Sequence, residues 1–165
     1  MKTLLLLRHA KSSWDYPELD DHDRPLAPRG FTDAPRMGRL LGIEDLEPDL
    51  ILTSDAVRAR GTAQQVWEEL GGDADVVILP DLYHGDVPSY IAAIAEHGGE
   101  TERLLVVGHN PGISELVMEL TGRHELLPTA GLACVELDVE EWHDVETSPP
   151  GHLEALWRPK ELPPE

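Results

Sequence analysis

Apolar residues along this chain gather in short runs, and each run is closed by a polar or glycine-containing stop. Residues 3–8, 49–53, 76–79, 103–108 and 131–138 carry the Leu-, Val- and Ile-rich stretches expected of strands buried in a sheet. Between them, the segments near 30–42, 56–70, 87–97 and 111–121 have the wider apolar spacing of helices packed on one side. Strand and helix alternate, which predicts an α/β fold: a three-layer α/β/α sandwich with a mostly parallel sheet and helices on both faces. Pro149-Pro150-Gly151 then precedes a short extended segment, His152 to Trp157, and the tail beyond Arg158 is expected to be loosely held. No repeat, low-complexity tract or Pro/Gly/Ser-rich divider interrupts the 165 residues, so one domain spanning 1–165 is expected.

Chemistry concentrates where the apolar runs stop. Leu4 to Leu7 lead directly into Arg8-His9, placing an imidazole and a guanidinium at the carboxyl end of a strand, where open α/β sheets keep their ligand sites. A neutral imidazole can attack phosphorus through one ring nitrogen while the other holds the tautomer. A guanidinium beside it keeps its proton and grips phosphoryl oxygens in a fork. Leu104 to Val107 repeat the design, ending in Gly108-His109-Asn110-Pro111-Gly112 before a helix from Ile113 to Leu120, with His109 expected at an edge of the fold. After the strand at 49–53, Ser54 or Asp55 is the expected N-cap of a helix whose first turn holds Arg58. A cation there opposes the helix dipole, which points to a bound anion as its reason. Asp21-His22-Asp23-Arg24-Pro25 forms an ordered loop from which Arg24 can reach over the end of the first strand.

Together these stretches resemble the histidine phosphatase superfamily, the phosphoglycerate mutase-like fold, and within it the small phosphohistidine phosphatase group called SixA. The resemblance rests on Arg8-His9-Ala10-Lys11-Ser12-Ser13-Trp14, Arg24-Pro25-Leu26 with Arg29-Gly30, Ser54-Asp55-Ala56-Val57-Arg58-Ala59 with Thr62-Ala63, and Val107-Gly108-His109-Asn110-Pro111-Gly112. Pro128-Thr129-Ala130 and Arg158-Pro159-Lys160 also look like that group. It implies that His9 is a phosphorylated nucleophile, that Arg8, Arg58 and His109 complete a catalytic phosphate pocket, and that Arg24 contacts the substrate. Asp21 matches an acidic position of that group. The implied reaction is a pair of in-line displacements through a phosphohistidine, with water attacking in the second.

One departure is informative. Many superfamily members that cleave phosphate esters carry a carboxylic acid that protonates the leaving alkoxide, either after the third strand or directly after the second histidine. Here Asn110 follows that histidine, and residues 79–86 offer Asp86 or His84 but no glutamate in the usual context. Imidazole leaves from phosphorus with far less help than an alkoxide. The sequence therefore favours a phosphohistidine phosphatase acting on a phosphorylated protein. The alternatives are a small-molecule phosphomonoesterase of the same superfamily, and a phosphate-binding module without catalysis. A mutase is disfavoured because the long insertions that enclose phosphoglycerate in related mutases are missing.

Composition narrows the partners. A net charge of -19 disfavours nucleic acid and anionic membranes, and nine of the thirteen basic residues fall in the first sixty, among the phosphate motifs. Only three residues are lysine, a balance that suits a salt-rich cytoplasm or a biased genome composition equally. Arg8 cuts the first apolar run too short for a signal-peptide core, so a cytoplasmic protein is expected. Cys134 stands alone and reads as a small buried hydrophobe. The eight histidines lack ligand-like spacing, so neither a metal nor another cofactor is expected.

Overall fold

The computed structural model describes residues 1–147 and 151–165. Pro149 and Pro150, read above as a break before the last extended segment, lie outside the described residues. Among the described residues, six strands form one sheet in the order β3-β2-β4-β1-β5-β6. The strands are β1 (Lys2–Arg8), β2 (Leu50–Ser54), β3 (Asp75–Leu79), β4 (Arg103–Gly108), β5 (Leu132–Leu137) and β6 (Gly151–Trp157). The helices are α1 (Pro28–Ile43), α2 (Val57–Glu69), α3 (Val87–His97) and α4 (Gly112–Thr121). β1 to β4 run parallel, β5 pairs antiparallel with β1, and β6 pairs antiparallel with β5 at the edge. The expected mostly parallel α/β sheet is therefore what forms. The segment read only as extended, His152 to Trp157, is a full edge strand of it.

The unbroken leucine run explains why β1 is central. Leu4, Leu5, Leu6 and Leu7 are all fully buried, and alternate residues face opposite sides. Leu4 and Leu6 join a core built with α3 and α4, including Ile94, Ile113 and Leu116. Leu5 and Leu7 join a second core with α1 and α2, including Met37, Ala59 and Val66. Burial of each such leucine contributes about 1.5–3 kcal/mol, so the two cores hold a helix layer against each face of the sheet. β3, by contrast, sits at a sheet edge with Val76 and Ile78 exposed. Cys134 is buried on β5, as its isolation suggested, and burial pushes its thiol up to about 12.

Two expectations are corrected. The tail beyond Arg158 is not loose: Arg36 donates to the carbonyls of Pro159 and Pro163, and Arg39 forks onto the carboxylate of Glu165. The pull comes from α1, more than a hundred residues away in sequence, which no local pattern reveals. Neither Ser54 nor Asp55 is the N-cap of α2. Ala56 takes that position without a side-chain cap, and the Ser54 hydroxyl accepts from the Ala56 N–H at 3.2 Å while serving a histidine, as described below.

Candidate active site

Parallel pairing of β1 with β4 puts Arg8 opposite Gly108, so the residues that follow, His9 and His109, emerge side by side at the carboxyl end of the sheet. The ladder continues one step further, since the His9 N–H donates to the Gly108 carbonyl at 3.0 Å. The chain leaves β1 for α1 on one face and β4 for α4 on the other, so the two strands diverge into a crevice at a switch point. The imidazole centroids are 5.1 Å apart with planes inclined by 55°. Both residues are only 6% exposed, so His109 lies inside the fold at its sheet end, not at a surface edge.

Each ring is held through one nitrogen. His9 Nδ1 meets the Ala10 carbonyl at 2.8 Å, which makes Nδ1 the donor and leaves Nε2 with a free lone pair. His109 Nε2 meets the Ser54 hydroxyl at 2.8 Å. The His109 backbone N–H donates to the Tyr90 hydroxyl at 3.0 Å, and a side chain on Gly108 would collide with that hydroxyl, so position 108 has to be glycine. Thr62 fixes the loop after His9 to α2: its hydroxyl accepts from Ala10 N–H at 2.9 Å and donates to the Arg58 carbonyl at 2.8 Å.

Three guanidinium groups surround the histidines. Arg8 donates to the Leu127 carbonyl, and its buried Nε has no partner among the described residues; the same holds for Arg58 Nε. Arg58 sits in the first turn of α2 as expected and donates to both the backbone carbonyl and the carboxylate of Asp21, at 2.7 and 3.0 Å. Arg24 donates to Ser12 and Ser13 at 2.9 and 3.2 Å and to Asp21 at 3.2 Å, while its guanidinium stacks 3.5 Å from the centroid of the Trp14 ring. Arg24 thus braces the loop that follows the first strand. Tyr83 closes the ring of contacts, donating its hydroxyl to Asp21 at 2.7 Å and presenting its ring edge-on to His109.

These surroundings set the protonation states. Burial, with the charges of Arg58, Arg8 and Arg24 added, pushes His9 down to about 4 despite the hydrogen bond to Ala10. Burial, together with the charges of His9, Arg58 and His84, pushes His109 down to about 3. Both imidazoles are neutral at pH 7. Hydrogen bonds from Tyr83, Arg58 and Arg24 hold the Asp21 carboxyl well below the usual carboxylate range. Asp21 is therefore ionised and has no proton to give. It is the hub that positions two arginines and a tyrosine.

The remaining acid candidates resolve by geometry. Asp86 is the N-cap of α3, accepting from Ser89 N–H at 3.0 Å and from the Ser89 hydroxyl at 2.8 Å, and these bonds lower its pKa. Asn110 accepts from the Ser114 hydroxyl at 2.6 Å and donates to the Leu127 carbonyl at 2.8 Å, the same carbonyl that receives Arg8. Its amide aligns Arg8 through a shared acceptor. His84 is exposed, with its ring 4.0 Å from that of Tyr83. Among the described residues no three His, Cys, Asp or Glu side chains gather as metal ligands, and no helix is long and apolar enough to cross a membrane.

The profile of the histidine phosphatase superfamily (branch 1) matches residues 4–88, which hold Arg8, His9, Arg24 and Arg58. The chain belongs to the histidine phosphatase superfamily. An uncharacterised protein of Mycobacterium tuberculosis is 36% identical over 152 residues, covering 85% of this chain and 92% of its own. Phosphohistidine phosphatase SixA of Escherichia coli is 28% identical over 141 residues, covering 82% of this chain and 85% of its own. Among solved structures, the protein histidine phosphatase SixA complexed with tungstate superposes with a TM-score of 0.80 at 26% identity, covering 96% of this chain and 97% of that one. In this member of the superfamily the four expected residues, Arg8, His9, Arg58 and His109, do converge, with Arg24 beside them. Tyr83, Tyr90 and the Ser54 hydroxyl were not legible as site residues. Tyr83 stands in the stretch after β3 that was read only for an acid, and its reach across to Asp21 shows its place.

The lowered histidine pKa values carry a stability consequence. An unfolded imidazole titrates near 6.5, whereas folded His9 titrates at about 4, so between those values the unfolded state binds more protons. Stability is full above pH 6.5, falls as the pH drops through the window, and levels off below pH 4. By pH 5 the loss from His9 is on the order of 2 kcal/mol. Urea denaturation at pH 7 and pH 5 should therefore show a smaller pH-dependent loss for His9→Gln than for the wild type. Equal losses would mean that His9 titrates alike in the folded and unfolded protein.

Proposed function

We propose that this chain is a metal-independent phosphohistidine phosphatase in which His9 is the nucleophile. The observation that carries the reading is the locked His9 imidazole: Nδ1 is committed to the Ala10 carbonyl, Nε2 is free, and the ring is neutral at pH 7 beside three guanidinium groups. Nε2 attacks the phosphorus of the substrate in line with the leaving group, the P–N or P–O bond breaks, and the leaving group departs with the electron pair. Arg8 and Arg58 bind the equatorial oxygens. Their orphaned Nε donors support this, because a buried guanidinium N–H without an acceptor is costly and phosphoryl oxygens supply one. His109 has its Nε2 at Ser54, so Nδ1 is the nitrogen available for a phosphoryl oxygen. A phosphoryl dianion favours the protonated imidazole, which strengthens that contact as charge develops. Water then attacks the phosphohistidine and frees His9.

The preference for phosphohistidine rests on the lack of a carboxylic acid free to donate a proton among the described residues. Asp21 is held ionised by three donors, Asp86 caps α3, and Asn110 is an amide. Without an acid, rate depends on the basicity of the leaving group. Values of kcat/KM should fall steeply from phosphohistidine peptide, phosphoramidate and nitrophenyl phosphate to sugar phosphates. Asp86→Asn should change both activity and stability little, because asparagine caps a helix about as well as aspartate. A loss of roughly 10²–10⁴ confined to alkyl esters would make Asp86 the general acid and the chain a small-molecule phosphatase.

Three arginines, joined by His109 once a bound phosphoryl dianion protonates it, supply the positive charge that a divalent ion brings to other phosphoryl-transfer sites. Turnover should be indifferent to EDTA. Activity lost to the chelator and restored by Mg²⁺ would overturn this part of the reading.

A further inference from the structure

Two stretches singled out in the sequence, Pro128-Thr129-Ala130 and Arg158-Pro159-Lys160, contribute no side chain to the phosphate pocket. They meet elsewhere. With the first turns of α1 they enclose a cavity of about 460 Å³. Arg29, Asp33 and Arg36 line it at helical spacing along one face of α1, and Arg158, Lys160 and Glu161 line it from the carboxyl-terminal segment. Four of the thirteen basic residues of a chain with net charge -19 thus share one cavity.

That charge is only partly neutralised. Arg29 pairs with Asp33 at 3.6 Å, and Arg158 pairs with Glu125 and Glu161 at 3.1 and 3.4 Å. Arg36 is bound to the uncharged backbone carbonyls of Pro159 and Pro163, and it shares the nearby carboxylate Glu165 with Arg39, which forks onto it. Lys160 is exposed and forms none of the ion pairs among the described residues. The cavity is therefore a cationic cleft on an otherwise acidic protein.

Its walls are shared with the nucleophile. Thr129 adjoins Ala130, whose N–H donates to the carbonyls of both Arg8 and His9 at 3.0 Å. At the start of α1, Ala27 N–H donates to the Lys11 carbonyl at 2.9 Å, and Gly30 packs so tightly on the same carbonyl that a side chain would overlap it. Arg29 also reaches across to the Thr129 hydroxyl at 3.3 Å. The cleft and the histidine site are thus connected through the backbone contacts of residues 8–11 with 27–30 and 130.

We propose that this cleft binds a second anionic group, carboxylate or phosphate, carried by the same substrate that presents its phosphoryl group to His9. The proposal rests on the phosphatase reading above for the identity of the first group. A phosphorylated protein would supply the second anion as an acidic side chain, and a small molecule would supply it as a second phosphate. The cleft offsets the repulsion that a net charge of -19 exerts on any such substrate.

The test compares wild type with Lys160→Gln and with the double variant Arg36→Gln/Lys160→Gln. Nitrophenyl phosphate, which carries no second anion, should be hydrolysed equally by all three. A phosphohistidine peptide with flanking aspartates should have a KM about tenfold lower than its alanine-flanked counterpart on the wild type, a preference that the variants erase. The parallel comparison of a small bisphosphate with its monophosphate assigns the preference to a small molecule if it appears there instead. Independently of turnover, titration with tetra-aspartate followed by amide chemical shifts should move Thr129 and Lys160 in the wild type and not in the double variant. No shift at those residues, or no preference for either anionic substrate, would overturn the cleft. An enzyme silent toward every phosphorylated substrate would sink the phosphatase reading while the titration still decides the cleft.

Discussion

Replacing His9 with alanine should abolish turnover and, with it, an acid-labile, base-stable phosphate that the wild type carries after rapid quenching with substrate. Nε2 of His9 is the nucleophilic nitrogen left free by the Nδ1 bond to the Ala10 carbonyl, and the ring sits where the β1–β4 ladder ends. His109 is held through Nε2 by Ser54 and fixed at its backbone by Tyr90, and the proposed role of its free Nδ1 is to bind a phosphoryl oxygen. The loss should exceed that of any other single substitution, since covalent catalysis disappears with its nucleophile. The label distinguishes this from mere misfolding: Arg58→Ala, folded, should still become phosphorylated slowly, whereas His9→Ala should not at all. Phosphate found on a serine, or undiminished label in His9→Ala, would sink the assignment.

Arg58→Ala should lower kcat by about 10²–10³, the scale seen when one preorganised donor to a developing negative charge is removed. Arg58 lies 6% exposed in the first turn of α2, where its charge opposes the helix dipole, so helix stability does not explain it. Two of its donors are held by Asp21, which aims the rest of the guanidinium. Arg58→Lys should recover little, because a single ammonium cannot keep the Asp21 contact and grip phosphoryl oxygens at once. The loss should appear in kcat with nitrophenyl phosphate as well as with phosphohistidine peptide, since the arginine acts on the phosphoryl group common to both. A change in KM alone would make Arg58 a docking residue.

Some of this was readable along the chain because the signals are local. An uninterrupted run such as Leu4 to Leu7 can be satisfied only inside a sheet, and a polar stop after it has to lie at the strand's end. The two strand-terminal histidines and the first-turn arginine of α2 are placed by that logic alone. The resemblance of the motifs to a known superfamily then assigned their chemistry. Element boundaries shifted by a residue or two where pairing with a neighbouring strand decided them, as when Ser54 joined β2 opposite Leu79 of β3.

What the chain alone determined is therefore the succession of strands and helices, and which reactive side chains stand at their ends, since both follow from backbone geometry and burial over a few consecutive residues. Tertiary structure decided everything that depends on partners distant in sequence. Asp21 became the hub of two arginines and Tyr83, rather than a proton donor, through contacts spanning 37 and 62 residues. Ser54, expected to cap a helix, holds His109 from 55 residues away, and the tail is tied to α1 across 123. A protonation state is a property of that assembled surrounding. Asp21 and Asp86 are the same residue type in sequence, and only their neighbours show that one positions the arginines while the other caps a helix.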